Sequence, residues 1–228
     1  MIMPSDKDYQ ETKQLKKSGL PLASPFREIA DWIASEYGVQ VLNVRYEILA
    51  VNDRPRLNVI LEWDRDAEKF RDRTATPGLA YMLCNFDHGK QDRVLQQFKR
   101  LLVEQNIQGI VTDRMFVIFS SFEAAATIEA NEMVTESDLD RLKQRLANPD
   151  LWLISRWSCT ATFFFYTSAQ AEEYEAKGLR EVYTKEYLQL VKPWDEFGYI
   201  TQSAILVRFD SKQNFDTNYQ SNWFYYRK

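Results

Sequence analysis

The sequence of 228 residues contains one histidine, two cysteines and seven glycines, and this scarcity excludes several kinds of site. With His88 as the only histidine, multi-histidine metal sites are ruled out, and histidine-based catalysis could involve this residue alone. The glycine-rich phosphate-binding motifs are missing, as are the serine elbow of hydrolases and the Cys-x-x-Cys and His-Glu-x-x-His patterns. The sequence therefore predicts no standard catalytic motif, no metal site and no cofactor.

A strong charge of one sign and long apolar runs are also absent. The net charge is −4, and the only basic run, Lys13, Lys16 and Lys17, lies among acidic residues, so nucleic-acid binding is not expected. Two cysteines are too few for a disulfide-stapled secreted domain. No apolar signal segment and no stretch of the ~20 apolar residues that span a bilayer are visible. We therefore expect a cytoplasmic protein without membrane contacts.

Aromatic residues, in contrast, are abundant: six Trp, 12 Tyr and 14 Phe make up 14% of the chain. A ring-rich core would explain them, but their number favours some rings on a surface or in a cleft. Residues 223–226 are predicted to be a terminal strand, which would place alternate rings on opposite faces and could pair with another chain. Since Trp and Tyr anchor protein interfaces, the candidate binding residues are Trp194, Tyr199, Trp223, Phe224, Tyr225 and Tyr226.

The pattern of helices and strands predicts three segments. Residues 1–23 are polar and aperiodic, which is typical of a loose lead. Residues 24–134 form a first half, with a helix opened by Ser24-Pro25 and closed by Gly38, then a hairpin with one polar face, a helix over about 91–106 and a strand over 115–119. Residues 135–228 form a second half, in which 151–166 is either one bent strand or a hairpin. The halves could be one domain or two.

One junction recurs four times: an apolar strand ends in an aromatic residue, and a helix-capping oxygen follows. The pairs are Trp63-Asp64, Phe119-Ser120, Tyr166-Thr167 and Phe209-Asp210. Glu123, Gln170 and Gln213 stand where a capping box needs Glu or Gln, and Thr135 with Asp138 predicts one more box.

The order α-β-β-α-α-β-α also occurs in both halves, which favours an internal duplication, although such junctions are common in any mixture of helices and strands. The predicted fold is therefore α+β and sandwich-like, with mainly antiparallel or mixed sheets and helices packed on one face.

Two polar groups are candidates for chemistry. Cys84 and His88 could form a nucleophile pair oriented by Asp87, or a metal site with Cys159; the plainer alternative is an exposed loop histidine bonded to Asp87. Glu62 and Asp64, on alternate positions of one strand, could act as paired carboxylates. For Asp64 the alternative is a structural role as a helix cap.

Three function classes follow from these patterns. The first is a protein-binding, regulatory or inhibitor-type protein that uses an acidic, aromatic-rich surface against a basic partner. The second is a small-molecule-binding protein, or an enzyme using carboxylates or tyrosine, that takes a small apolar or aromatic ligand between its halves. The third is an oligomeric scaffold that pairs through an edge strand. The sequence does not decide among them.

Overall fold

A computed structural model describes residues 2–50, 53–72 and 86–227 of the chain. Over these ranges the protein is of the predicted α+β class and has two three-stranded sheets. The chain divides into two compact units, the first ending at Ala125 and the second starting at Ala126. None of the described helices is both long enough and apolar enough to cross a membrane.

The first unit is built on a mixed sheet with the strand order β1-β2-β3. Strands β1 and β2 are antiparallel, as the predicted hairpin requires, and β2 and β3 are parallel. The described elements of this unit are α1 (Lys7–Ser18), α2 (Phe26–Tyr37), β1 (Val41–Leu49), β2 (Arg54–Leu61), α3 (Asp64–Ala67) with a 3-10 turn (Glu68–Phe70), α4 (His88–Glu104), β3 (Phe116–Ser121) and α5 (Phe122–Glu132), which continues past the unit boundary.

Two amphipathic helices, α2 and α4, cover one face of this sheet. Ile29 and Ile33 of α2 and Val94 and Phe98 of α4 are fully buried in a single apolar core. Each such side chain contributes roughly 1.5–3 kcal/mol relative to exposure. Gly38 ends α2 in the left-handed conformation, at φ 59°, as predicted.

The predicted helix starts need small corrections. Ser24 does not cap α2; Pro25 occupies the N-cap position, and no side chain caps this end. Helix α4 begins at His88 rather than near residue 91, because Asp87 caps it by accepting the backbone N–H of Lys90. Asp64 is the first residue of α3 instead of its cap.

Helix α1 lies on the other face of the first sheet, within the segment predicted to be a loose lead. Its residues Tyr9 and Thr12 are fully buried, and Asp8 is only 4% exposed. The helix was missed because two of its three buried residues are polar, so no apolar periodicity marks them. The prediction of helices on one face is therefore wrong: α1 covers the polar face of the hairpin.

The second unit repeats the strand order of the first, as β4-β5-β6, with an antiparallel pair followed by a parallel pair. Its elements are α6 (Glu136–Leu146), β4 (Leu151–Trp157), β5 (Thr160–Phe165), α7 (Ser168–Ala176), α8 (Arg180–Val191) with a 3-10 turn (Lys192–Trp194), β6 (Leu206–Ser211), α9 (Lys212–Tyr219) and α10 (Trp223–Tyr226). Of the two alternatives for 151–166, the hairpin is therefore correct.

Rings fill both faces of the second sheet. Phe163 and Phe165 point into one core together with Tyr187 of α8. Phe164 points to the opposite face, where Phe215 of α9 and residues of α10 pack on it. The alternation of side chains along β5 thus distributes three consecutive phenylalanines over two layers.

Residues 223–226 form the short helix α10 instead of the predicted terminal strand. Asn222 caps it by accepting the backbone N–H of Phe224. On a helix, residues three apart share a face, so Trp223 and Tyr226 both contact Phe164. The predicted alternation of rings is wrong, because four rings in a row fit either period, and the cap with the packing selects the helix.

The predicted capping boxes are present at Thr135 with Asp138 and at Thr167 with Gln170. At the junctions after Phe119 and Phe209 the cap is one residue later than predicted. Ser121 accepts the N–H of Ala124, and Ser211 accepts the N–H of Asn214.

Glu123 and Gln213 therefore do not close boxes but bridge to the start of another helix in their own unit. The side chain of Glu123 accepts the N–H of Asp64 at 2.9 Å, and that of Gln213 accepts the N–H of Ser168 at 3.1 Å. Each bond satisfies a helix N–H that has no partner within its own helix. The first helix after the hairpin is thereby tied to the end of the third strand in both units.

Candidate functional site

One face of the second sheet is partly uncovered beside α10. Strand pairing aligns two rows of residues across β4, β5 and β6 on this side. Alternate residues of a strand share a face, so both rows point the same way. We call these six residues the open face: Ser155, Thr162 and Arg208 in one row, and Trp157, Thr160 and Leu206 in the next.

A cavity of about 420 Å³ lies over the open face and is bordered by the C-terminal segment. Trp223 and Tyr226 of α10 line it, together with Arg227. The guanidinium of Arg227 lies 4.7 Å from the ring centre of Trp157 and 5.0 Å from that of Trp223. Both distances are within the range of cation–π attraction, so Arg227 links the helix to the sheet.

The apolar part of the open face is exposed to solvent. The side chain of Trp157 is 58% exposed, and that of Leu206, at the other end of the same row, is 45% exposed. Thr160 lies between them on the central strand. Isolated exposed apolar residues are ordinary, but a large ring and a leucine in one row beside a cavity make this face a candidate binding surface.

The charges at this site are arranged to receive a negative group. In the part of the chain that the structure describes, the exposed Arg208 has no hydrogen-bond or ion-pair partner. Asp210, the carboxylate of the cavity wall, accepts hydrogen bonds from the hydroxyl of Tyr226 at 2.5 Å and from the side chain of Asn214 at 2.8 Å. Arg208 and Arg227 therefore outweigh one carboxylate whose oxygens are already bonded.

Tyr226 is held as a neutral hydrogen-bond donor. Burial raises its pKa well above the usual tyrosine range, and the hydrogen bond and charge of Asp210 raise it further. The neighbouring Thr162 on the open face opposes part of this rise in pKa. Because ionisation is disfavoured, Tyr226 closes one side of the cavity and is poorly suited to act as a base near neutral pH.

Raising the pH above 10 is expected to weaken the docking of α10. Tyr226 titrates near 10.0 in the unfolded chain, whereas its pKa in the folded chain is higher. The folded state then binds more protons than the unfolded state, so the free energy of unfolding falls as the pH rises through this range. We expect a smaller fall for Tyr226→Phe than for the wild type in denaturant titrations between about pH 9 and 11. Tyr225→Phe is the exposed control on the same helix, and equal slopes for Tyr226→Phe and wild type would contradict the prediction.

Only two of the predicted aromatic residues line the cavity. Trp223 and Tyr226 line the cavity, whereas Phe224 and Tyr225 of the same helix are exposed and do not line it. Trp194 is exposed in a 3-10 turn, and Tyr199 is buried. Neither of these two lines the cavity.

The predicted polar candidates have other contacts. The exposed His88 has its Nδ1 3.0 Å from Oε1 of Gln91, and Asp87 caps α4. Cys84 lies outside the described residues, so its pairing with His88 is not tested. Within the described ranges, no group of three or more His, Cys, Asp or Glu side chains could hold a metal ion.

Glu62 and Asp64 also have different surroundings. Glu62 is buried and accepts a hydrogen bond from Lys16 of α1 at 2.8 Å. Burial raises the Asp64 pKa, the negative charge of Glu68 raises it further, and a hydrogen bond to Ser121 opposes both. The pairing of the two carboxylates stays a prediction.

Sequence reasoning missed Trp157, Leu206 and Arg208. One signal was available, because Arg208 interrupts the apolar run of β6 at a position that shares a face with Leu206. The alignment of both with Trp157 depends on the pairing of β6 with β5, which the sequence pattern does not specify.

Comparison with protein-family models, with curated proteins and with solved structures finds no match to this chain.

Proposed function

We propose that this protein acts by contact with another protein through the open face of its second unit. The observation that carries the proposal is the exposed row of Trp157 and Leu206 beside Arg208, which is exposed and unpaired among the described residues. Tryptophan and arginine are the residues that most often dominate binding energy at protein interfaces. A sheet face with an exposed ring, an aliphatic side chain and a cation offers both apolar burial and a charged contact.

The first unit supports this proposal by contrast. Strand register makes the row of Arg45, Asn58 and Ile118 the counterpart of Ser155, Thr162 and Arg208. In the first unit Asp8 of α1 binds Arg45 and Asn58, so the chain covers this row itself. In the second unit the chain covers this row only in part: Arg227 donates a hydrogen bond to Ser155 and Thr162 is buried, whereas Arg208 is exposed, as is Trp157 in the next row. A partner from outside the chain could take the corresponding position.

The local charge indicates which kind of partner fits. The net charge of −4 predicts a basic partner for the chain as a whole. At the open face, however, the charged groups that border the cavity are two arginines and one carboxylate, whose oxygens already accept hydrogen bonds. We therefore propose a partner that presents a negative group to this face.

A small ligand is the second candidate, because the cavity itself favours it. Its volume of about 420 Å³ is within the ~300–1,000 Å³ that ligand pockets usually have. Rings and hydroxyls line it, and two guanidinium groups border it. These features fit a small aromatic molecule that carries a carboxylate or phosphate. Residues 223–226 are a helix and not the predicted edge strand, so they give the scaffold hypothesis no support.

We also propose that the two units arose by duplication. In support of this, their sheets have the same strand order and the same pairing directions. The bridges from Glu123 to Asp64 and from Gln213 to Ser168 join equivalent positions of the two units. Alignment of relatives of each unit to one common pattern would test this origin, and two unrelated patterns would contradict it.

The contact function can be tested with a surface variant and a matched control. The double variant Trp157→Ser, Leu206→Ser removes the exposed apolar row, whereas Val103→Ser removes an apolar side chain that is 80% exposed on α4. Tagged proteins are used to capture partners from native lysate, with quantitative mass spectrometry. With wild type and with Val103→Ser we expect one dominant partner, in an amount close to that of the tagged protein. With the double variant we expect the amount of captured partner to fall by about tenfold or more.

Equal capture by all three proteins would contradict the open face as the contact surface. If wild type captures no partner, a thermal-shift screen of aromatic carboxylates and phosphates examines the second candidate. A ligand-induced rise in melting temperature that Arg208→Gln abolishes would then favour the small ligand.

A further inference from the structure

The docking of α1 on the first sheet shows how a helix can bind a sheet face of this protein through a carboxylate. Oδ1 of Asp8 accepts a hydrogen bond from Nε of Arg45 at 2.9 Å. Oδ2 accepts from Nη2 of Arg56 at 2.8 Å and from Nδ2 of Asn58 at 2.6 Å. Charge-assisted bonds of this kind are roughly twice as strong as neutral ones.

Two further residues of α1 complete the contact. Tyr9, next to the carboxylate, is fully buried and stacks on Phe122 with a ring separation of 5.0 Å. Thr12, one turn further, accepts a hydrogen bond from Asn43 at 2.9 Å. The helix thus presents an acid, a ring at the next position and a polar group one turn later.

The open face contains the same kinds of groups in a different arrangement. Arg208 stands on the third strand, at the position of Ile118 in the first unit, so a cation is kept within the same row but at its other end. In the neighbouring row Trp157 and Leu206 replace the first unit's Glu47 and Phe116. The open face therefore combines an exposed arginine with a larger apolar border.

The dimensions of the face favour a helix as the occupant. Three strands at ~4.8 Å spacing span about 10 Å, which is close to the diameter of one helix with its side chains. An extended segment would instead bind at a sheet edge through its backbone groups. The open face offers side chains from three strands, which one helix can contact together.

We infer that the open face binds a helix of a partner protein that presents an Asp or Glu to Arg208 and an apolar or aromatic residue to Trp157 and Leu206. This inference rests on the proposed contact function and specifies the partner. The charge of the site supplies the specificity, and the exposed row supplies apolar burial.

A displayed library of helical peptides, randomised on one face, tests the inference. It is selected in parallel on the wild-type chain, on Arg208→Gln and on Arg141→Gln, a control that changes an exposed arginine of α6. We expect wild type and Arg141→Gln to enrich Asp or Glu at one position with an apolar residue one or four places away. For Arg208→Gln we expect the acidic enrichment to fall by about tenfold or more, because a charge-assisted bond is lost.

Selection of neutral or basic helices, selection of no helix, or equal acidic enrichment on Arg208→Gln would each overturn the inference. Circular dichroism confirms that Arg208→Gln is folded, which is expected for an exposed side chain. If partner capture still depends on Trp157 and Leu206, the contact function survives such a failure; if it does not, both proposals fall. Self-association in sedimentation velocity that Arg208→Gln abolishes would identify a second copy as the occupant and overturn the partner assignment.

Discussion

Replacement of Asp8 by alanine is expected to lower the free energy of unfolding by about 3 kcal/mol. Its carboxylate is 4% exposed and accepts hydrogen bonds from Arg45, Arg56 and Asn58. Without it, two guanidinium groups and an amide lose one acceptor beneath α1, although Arg45 keeps its ion pair with Glu11 and Arg56 keeps its ion pair with Glu47. The value is at the lower end of the range for a broken buried pair, because both arginines keep some contact with water.

Denaturant titration of the full chain measures this loss, and hydrogen exchange locates it. We expect the amides of α1 to lose protection first, because this helix buries few apolar side chains. Lys7→Ala is the matched control, since its ion pair with Glu11 is exposed and contributes only a few tenths of a kcal/mol. If Asp8→Ala were as stable as Lys7→Ala, the docking of α1 through its carboxylate would be wrong.

Replacement of Phe164 by alanine is expected to lower the free energy of unfolding by about 3–5 kcal/mol and to remove the candidate site. The side chain is fully buried on the face of β5 that carries α9 and α10. Its ring contacts four other rings: Trp152, Phe215, Trp223 and Tyr226. A cavity at this point would therefore release the short helix that borders the site.

Phe224→Ala is the control for this prediction, because Phe224 belongs to α10 but is 66% exposed. We expect its free energy of unfolding to stay within about 0.5 kcal/mol of wild type. Tryptophan fluorescence during denaturation follows both variants, and Trp223 of α10 is one of the six tryptophans that contribute to it. Partner capture should be lost with Phe164→Ala and kept with Phe224→Ala. Equal stability of the two variants would contradict the assigned packing of α10.

Local sequence patterns predicted the elements whose stabilising groups lie close together in the chain. The β1–β2 hairpin followed from alternation, and the helix starts at Thr135 and Thr167 followed from capping boxes within four residues. Gly38 marked a helix end because it adopts a left-handed conformation that glycine tolerates without steric cost. In each case one short segment contains all the residues that specify the structure.

Elements stabilised by distant residues could not be predicted in this way. Helix α1 is bound to strands β1 and β2 by polar contacts, so its own sequence shows little amphipathic signal. Helix α10 consists of four consecutive aromatic residues, a pattern that fits a strand as well as a helix. The cap at Asn222 and the packing on Phe164 select the helix. Tertiary packing overrides the strand preference of aromatic residues here.

The sequence by itself determined the α+β class, most of the strands and the absence of standard catalytic motifs. Only the tertiary structure decided where the candidate site lies. Trp157, Thr162 and Arg208 come from three strands, and parallel pairing of β5 with β6 brings the last of them beside the others. Alternation along a strand specifies which residues share a face, but the neighbouring strand is selected by the packing of the whole unit. The open face is therefore a property of strand order, which no local pattern contains.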